Sequence, residues 1–401
     1  MRKEYTYNDI GIFSRQISTI KSRFDENINL KKRVIFGNKY IDTGIFMSAP
    51  MFDVTGEKMQ ITLLELGQLP IIHRFMSADE QMETLYNVIT KCNLNEKYIY
   101  SYSIGINDYK NKLEKLTIFL NGATEYNFNI LICIDTANGA TELLVPVIEE
   151  INKLKNNFKN YHSIEILSGN VVTKEGVEFL YKQGVKFIRC GISLGSVCST
   201  SVVTGIYRPP VSMLQEIFNY KIQNNYNDLY IVADGGIKGT DDILKAIACG
   251  ADFIMSGRLF AGYYESNSQI FINDNESQAI LFNTVHEYYT NQTNNTLFNN
   301  GFNFKNFYKA YRGMASESMA QLNNKVNNLN KKILAEGVSE LIPYKGDGNI
   351  LEQDLDNILS SIRSSMSYAN AYNLDQYRDN IEIIEISNES NKIRKPDVYN
   401  K

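Results

Sequence analysis

Eight short apolar runs recur along the 401-residue chain, and between them lie longer stretches in which apolar positions return every three or four residues. The runs are residues 45–49, 69–72, 98–103, 130–134, 163–167, 185–189, 229–233 and 253–256. Each is short enough for a buried strand. Amphipathic spacing over 142–154, 174–183, 211–223 and 241–249 predicts helices between the later runs, and 354–368 predicts a closing helix. An alternation of this kind predicts an α/β protein, a (β/α)8 TIM barrel, although a doubly wound parallel sheet has the same periodicity. The reading is one barrel domain over residues 1–370, with two insertions after the eighth strand. The first, about 266–306, is rich in Asn, Tyr and Phe and serves as a finger; the second, about 318–340, is Lys/Asn-rich and serves as a flap. Within the finger, 288–302 reads as a solvated excursion. Residues 371–401 form a polar C-terminal tail that either straps the surface or stays disordered.

Composition narrows the function classes. With 41 basic against 45 acidic residues the net charge is −4, which argues against a nucleic-acid surface and against a polybasic membrane patch. The five cysteines, at 92, 133, 190, 198 and 249, are odd in number and scattered, with no C-x-x-C pair. Neither a disulfide framework nor a zinc site is expected, and a reducing, cytoplasmic location is. The first residues are polar, so no secretory h-region is expected, nor any long apolar span.

Candidate chemistry collects at the ends of the predicted strands, where barrel enzymes keep their active sites. Residues Gly191-Ile-Ser-Leu-Gly-Ser-Val-Cys-Ser-Thr200 follow the sixth run. Flanking glycines free this loop to bring the Cys198 thiol into a cleft beside the hydroxyls of Ser199, Thr200 and Ser201. The bland alternative is a buried cysteine in a tight turn. Asp234-Gly235-Gly236 ends the seventh run and Ser256-Gly257-Arg258 ends the eighth. Paired glycine loops there form a phosphate cradle, to which Arg258 adds a bidentate cation and Asp234 an acceptor for a ribose diol. Asp135 and Asn170 end the fourth and fifth runs, as rim ligands or as helix caps. Neither a G-x-G-x-x-G after a strand nor a P-loop occurs, so a dinucleotide must bind on the barrel rim. His73, His162 and His286 are too far apart for a metal set, and no metal is expected.

Five motifs, in order, make the chain resemble the IMP dehydrogenase/GMP reductase superfamily over roughly residues 8–370. They are Gly169-Asn-Val-Val-Thr173, Gly195-Ser-Val-Cys-Ser-Thr200, Ala233-Asp-Gly-Gly-Ile237, Tyr311-Arg-Gly-Met-Ala-Ser316 and Glu336-Gly-Val-Ser-Glu-Leu-Ile-Pro-Tyr-Lys-Gly346. The resemblance implies that Cys198 adds to C2 of a purine nucleoside monophosphate while a nicotinamide cofactor exchanges hydride there. It implies catalytic roles for Cys198, Thr200 and Glu336. Substrate would be held by Ser196, Asp234, Gly235, Gly236, Gly257, Arg258, Tyr311, Gly313, Met314 and Ala315. Asp135, Thr136, Asn170 and Gly191 would lie along the cofactor. A homotetramer is the implied assembly.

Between the two branches, four features resemble the reductase and its NADPH chemistry. Ser18-Thr-Ile-Lys-Ser-Arg23 looks like its N-terminal motif, and Glu317 fits its pattern. Only about sixty residues separate Arg74 from Asp135, too few for the pair of regulatory domains that most dehydrogenases insert. Residues 318–335 contain neither Arg nor Tyr, whereas the dehydrogenase flap carries an Arg-Tyr pair that activates water. Other positions depart from the family. Ser193 replaces a loop glycine of the dehydrogenases' potassium site, which argues against a monovalent-cation requirement. Phe52 stands where an Asp is usual, Ser201 and Val203 replace basic residues, and Arg258 replaces a small one. The Arg before the base-reading Glu is missing, with Lys331 and Lys332 nearby. The alternatives are an IMP dehydrogenase, a relative acting on a deoxy or modified purine nucleotide, and a non-enzymatic nucleotide-binding barrel.

Overall fold

In the computed structural model, which describes residues 2–192, 194–272, 280–282, 307–313, 316 and 337–393, all eight apolar runs are parallel strands of one sheet. These are β1 (Phe46–Ser48), β2 (Leu69–Pro70), β3 (Ile99–Ile104), β4 (Asn129–Asp135), β5 (Ser163–Val171), β6 (Phe187–Cys190), β7 (Tyr230–Asp234) and β8 (Phe253–Ser256). Their order is β2-β1-β8-β7-β6-β5-β4-β3, which bends the sheet round into a (β/α)8 barrel. The seam lies between β2 and β3. Pro70 has no N–H to donate to a ladder, so β2 stops after two residues, shorter than its apolar run suggests. Serine hydroxyls close the gap instead. Ile72 N–H donates to Ser101 Oγ (2.9 Å), and Ser103 Oγ donates to the Ile72 carbonyl (2.5 Å).

Helices α1 (Glu57–Glu65), α2 (Ala78–Lys91), α3 (Tyr109–Gly122), α4 (Val145–Phe158), α5 (Lys174–Lys182), α6 (Pro210–Gln223), α7 (Thr240–Ala248) and α8 (Ile350–Tyr368) surround the sheet. The last five match the predicted amphipathic stretches. The first three went unread, although Ser77 and Glu80 form a capping box that announces α2. Every strand residue from Ile99 to Ile104 and from Asn129 to Asp135 is buried, as parallel strands covered on both faces must be.

The chain's described extremities cover the barrel. Ile10–Ser14 pairs antiparallel with Ile381–Glu385, and Lys32–Phe36 forms a hairpin with Lys39–Thr43. Beyond β8, strands β9 (Ile270–Ile272), β10 (Ile280–Phe282), β11 (Phe307–Arg312) and β12 (Ser339–Pro343) make an antiparallel sheet of order β10-β9-β11-β12. Two contacts fasten it beside the barrel mouth. The Arg312 main-chain N–H (3.0 Å) and Nε (2.8 Å) donate to the buried Asp53, while Lys309 Nζ donates to the carbonyls of Tyr264 (3.2 Å) and Ser266 (2.8 Å). Asp53 thus supplies a carboxylate next to Phe52, whose ring lies 5.5 Å from the Arg312 guanidinium. Most of the expected finger and flap lies outside the described residues.

At the opposite end Asp252, with its side chain wholly buried, gathers distant segments. It accepts from Lys221 Nζ (2.8 Å) and the Ile231 N–H (2.9 Å), and it pairs with Lys32 (2.9 Å) and Arg378 (3.9 Å). Burial works to raise its carboxyl, but the Lys221 and Lys32 ammonium groups and the Arg378 guanidinium outweigh it and hold the carboxyl far below the usual carboxylate range. Asp252→Asn leaves Lys221 without its carboxylate, and Lys32 and Arg378 with only the exposed Asp375, and should cost about 3–5 kcal/mol of stability at pH 7. A depressed carboxyl contributes stability above its unfolded value and loses it as pH falls toward its folded value. In thermal unfolding, the gap between wild type and variant should therefore hold steady from pH 8 to 5 and narrow below about pH 4.

Candidate functional site

A cleft of about 260 Å³ opens where the strands end. Its wall is assembled from the loops after β1, β2 and β4 to β8, with Tyr311 and Gly313 contributed by the antiparallel sheet. Eleven of the residues singled out from sequence line it: Asp135, Thr136, Asn170, Gly191, Cys198, Thr200, Asp234, Gly235, Gly257, Tyr311 and Gly313. Ser196 and Arg258 sit at one edge, hydrogen-bonded to each other (Nη1 to Oγ, 3.3 Å), and Gly236 follows Gly235 in the chain. Met314, Ala315 and Glu336 lie outside the described residues, as does Ser193 of the loop compared with the potassium site.

The thiol loop is held by main-chain contacts that leave its thiol accessible. Cys198 N–H donates to the Gly195 carbonyl (3.1 Å), and Cys198 forms an antiparallel bridge with Gly337. Val338 N–H donates to the Val197 carbonyl (3.0 Å), and Gly313 N–H to the Val338 carbonyl (2.9 Å). A Cβ on Gly313 would stand 2.4 Å from the Val197 carbonyl oxygen, so only glycine lets these three segments cross. Cys198 is the half-exposed member of the five cysteines; the other four are buried. Burial pushes the thiols of Cys133 and Cys249 up to about 12 and that of Cys92 to about 11, which keeps them protonated and inert. The Cys198 Sγ lies 3.3 Å from Thr200 Oγ1, close enough for proton exchange between them.

One residue missed from sequence organises the opposite wall. Arg189, at the end of β6 and 8% exposed, spans two carboxylates: Nη1 donates to Asp135 Oδ1 (2.9 Å) and Nε to Asp234 Oδ2 (2.9 Å). Burial opposes its charge, but Asp234 and Asp135 overcome that and push its pKa further up, so it stays a guanidinium. Asn170 Nδ2 adds donors to Asp234 Oδ2 (2.7 Å) and to the Gly191 carbonyl (2.5 Å), while Arg74 Nε reaches Asp135 Oδ2 (3.3 Å). Asp234 lines the cleft, and its contacts with Asn170 and Arg189 both fall on Oδ2. Asp135 has one donor on each oxygen, and a carboxylate accepts about four, so both acids retain capacity for hydroxyls. Asn170 and Asp135 thus bond to other rim residues, and the helices that follow are capped by Thr141 and Thr173 instead.

In the glycine loop expected to cradle a phosphate, Gly235 (φ 87°) and Gly236 (φ 75°) adopt the left-handed backbone that glycine allows. A Cβ on Gly257 would meet the Tyr311 hydroxyl at 2.6 Å. Tyr311 is hydrogen-bonded to Ser196, and burial pushes its phenol well up, leaving it a neutral donor. Arg258 departs from expectation. It reaches Ser196 through one N–H, but its fork is closed on Glu340 of β12 (2.6 and 3.2 Å). Glu340 was not anticipated either. Of the histidines, burial and then Lys112 push His73 down to about 3, and His162 is lowered by burial, so both are neutral packing groups. His286 lies outside the described residues. Among the described residues no helix is long and apolar enough to cross a membrane, and no group of His, Cys, Asp and Glu is placed to hold a metal.

Similarity to named proteins points the same way as the motifs. The inosine-5′-monophosphate dehydrogenase of Borreliella burgdorferi is 27% identical over 443 residues, covering 99% of this chain and 98% of its own. The GMP reductase of Caenorhabditis elegans is 29% identical over 381 residues (94% and 91%), and human GMP reductase 1 is 27% identical over 380 (94% and 93%). A dehydrogenase aligned over nearly its whole length leaves no room for an inserted domain pair, so the short span between Arg74 and Asp135 does not separate the branches. The barrel, the cleft thiol and the glycine cradle agree with the profile of the IMP dehydrogenase / GMP reductase domain, which matches residues 4–282 and 292–396, and the chain belongs to that family.

Proposed function

We propose that the chain is a GMP reductase-like oxidoreductase that converts GMP to IMP and ammonia with NADPH. The observation that carries the covalent chemistry is the cleft-exposed Cys198 thiol, 3.3 Å from the Thr200 hydroxyl. The direction rests on residues 318–335, which hold no Arg or Tyr to activate water. The phosphate lies on Gly235, Gly236, Gly257 and Ser196, with Tyr311 and Arg258 at its edge and the ribose diol on Asp234 Oδ1. Met314 and Ala315 follow in the segment that reads the base.

Cys198 sulfur bonds to C2, and the 2-amino group leaves as ammonia once Thr200 and Glu336 have passed it a proton. Glu336 precedes Gly337, whose main chain bridges Cys198. Asp135 and Thr136, with Arg74 and Asn170 behind them, offer the hydroxyl acceptors and donors that a nicotinamide ribose requires. A nicotinamide cofactor bound there would supply the hydride that brings C2 to the level of IMP and frees the Cys198 thiolate. The balance is GMP, NADPH and two protons giving IMP, NADP⁺ and ammonium. Without an activated water, the thioimidate on Cys198 persists long enough to be reduced rather than hydrolysed. A homotetramer in the cytoplasm, with no cation requirement, completes the proposal. The equal standing of the Borreliella burgdorferi dehydrogenase keeps the conversion of IMP to XMP as the second reading.

Purified protein given GMP and NADPH should lose nicotinamide absorbance with matched ammonia release, and should make no XMP from IMP and NAD. Steady XMP formation would reverse the assignment. If neither reaction runs, a deoxy or modified purine nucleotide is the next substrate. Cys198→Ala should abolish turnover while GMP binding, measured by calorimetry, stays within about tenfold, because phosphate and ribose contacts supply most of the ground-state affinity.

Arg189→Lys keeps the charge but loses the fork that spans two carboxylates. It should raise KM for both GMP and cofactor by about tenfold each, because Asp234 and Asp135 lose their orientation together. A fall in thermal stability with both KM values unchanged would limit Arg189 to a structural role.

A further inference from the structure

The Arg258–Glu340 pair lies at the edge of the proposed phosphate cradle and is more exposed than the Arg189 and Arg312 pairs near the mouth. Arg258 belongs to the β8 loop and Glu340 to β12, where it stands opposite Tyr311 in the β11–β12 register. The guanidinium is held in two parallel contacts (2.6 and 3.2 Å) while its Nη1 also touches Ser196 Oγ, which is itself hydrogen-bonded to Tyr311. Both side chains remain open to water, 44% and 40% exposed.

A carboxylate presents two oxygens to a guanidinium with the geometry that a phosphate presents. Glu340 therefore occupies the orientation that a phosphate seated on Ser196, Tyr311 and Gly257 would take. A terminal phosphomonoester carries about −1.5 to −2 at pH 7 against −1 for the carboxylate, so it wins the fork where a singly charged phosphodiester meets an equal competitor. Glu340 returns to water at small cost because it is already half hydrated.

We infer that Glu340 is a built-in competitor that stands in for the substrate's phosphate on Arg258 and is displaced by it. The pair thereby tempers the affinity of a nucleoside 5′-monophosphate, which must displace Glu340 to reach Arg258, and leaves that of a nucleoside unchanged. This rests on the proposed nucleotide site but not on the identity of the base.

The test is calorimetric binding of GMP, ribose 5-phosphate and guanosine to the wild-type protein, E340Q, R258A and the double variant. E340Q should tighten GMP and ribose 5-phosphate by about two- to fivefold, the range that an exposed ion pair of up to about 1 kcal/mol represents, and leave guanosine unchanged. R258A should weaken both phosphates, and in that background E340Q should bring little further gain. Weaker phosphate binding by E340Q would mean that Glu340 positions Arg258 for the phosphate, which overturns the exchange. So would equal affinities, or a full gain that survives in R258A and marks simple repulsion by a nearby charge. Tight GMP binding with no E340Q effect removes this inference and leaves the proposed function standing. Ribose 5-phosphate binding that E340Q tightens, without any GMP binding, does the reverse.

Discussion

The mouth of the barrel depends on one guanidinium. Asp135 ends β4 and Asp234 ends β7, and two carboxylates converging on one cleft would repel each other. Arg189, rising from β6 between them, binds an oxygen of each at 2.9 Å and offsets that repulsion. Asn170 from β5 joins the same Asp234 oxygen, so four consecutive strand ends are linked through one cluster. The arrangement fixes the spacing between the acid proposed for the ribose and the acid proposed for the cofactor. Hydride transfer at a covalently held carbon needs that spacing more than it needs either acid alone.

On the other wall the constraint is steric rather than electrostatic. The thiol loop, the end of β11 and the start of β12 cross with glycine at the contacts, and a Cβ on Gly337 would stand 3.0 Å from Ser316 N. A Cβ on Gly235 would likewise stand 2.9 Å from Gly195 N, so the β7 loop packs directly on the loop that carries Cys198. Close backbone packing brings the Cys198 thiol, the Thr200 hydroxyl and the Gly235 and Gly257 loops together without large side chains to fill the cleft. The four inert cysteines lie in the packed interior, where burial keeps their thiols protonated.

Local pattern and long-range pairing were unequally legible in the sequence. The eight strands and five of the helices could be read because burial on both faces imposes apolar runs and amphipathic spacing within a few residues. Glycine clusters marked the loops at Cys198 and Asp234 for a similar reason. The antiparallel sheet beyond β8 could not be read, since strands of three to six residues pair across long separations and leave no local period. Arg189 and Glu340 escaped because a charged residue looks the same in sequence whether it faces water or a partner. Their partners lie 45, 54 and 82 residues away. Arg258 shows the same limit in reverse: its position at the cradle was legible, but the carboxylate that occupies its fork was not.

Arg189 and Arg258 both present a guanidinium to carboxylate oxygens at hydrogen-bond distance, and only their surroundings separate their roles. The Arg189 side chain is 10% exposed and its partners 9% and 13%, so opening those contacts strands buried charges at about 3–5 kcal/mol. Arg258 and Glu340 can each be rehydrated as they part, and an exposed pair of this kind contributes about 1 kcal/mol or less. The first belongs to the frame. The second is weak enough to be exchanged for a ligand of higher charge. Burial thus divides one kind of contact between a fixed scaffold for the acids and a proposed exchangeable counter-ion at the entrance, and the proposed covalent reaction needs both: rigid geometry around the thiol and an edge that yields to the substrate.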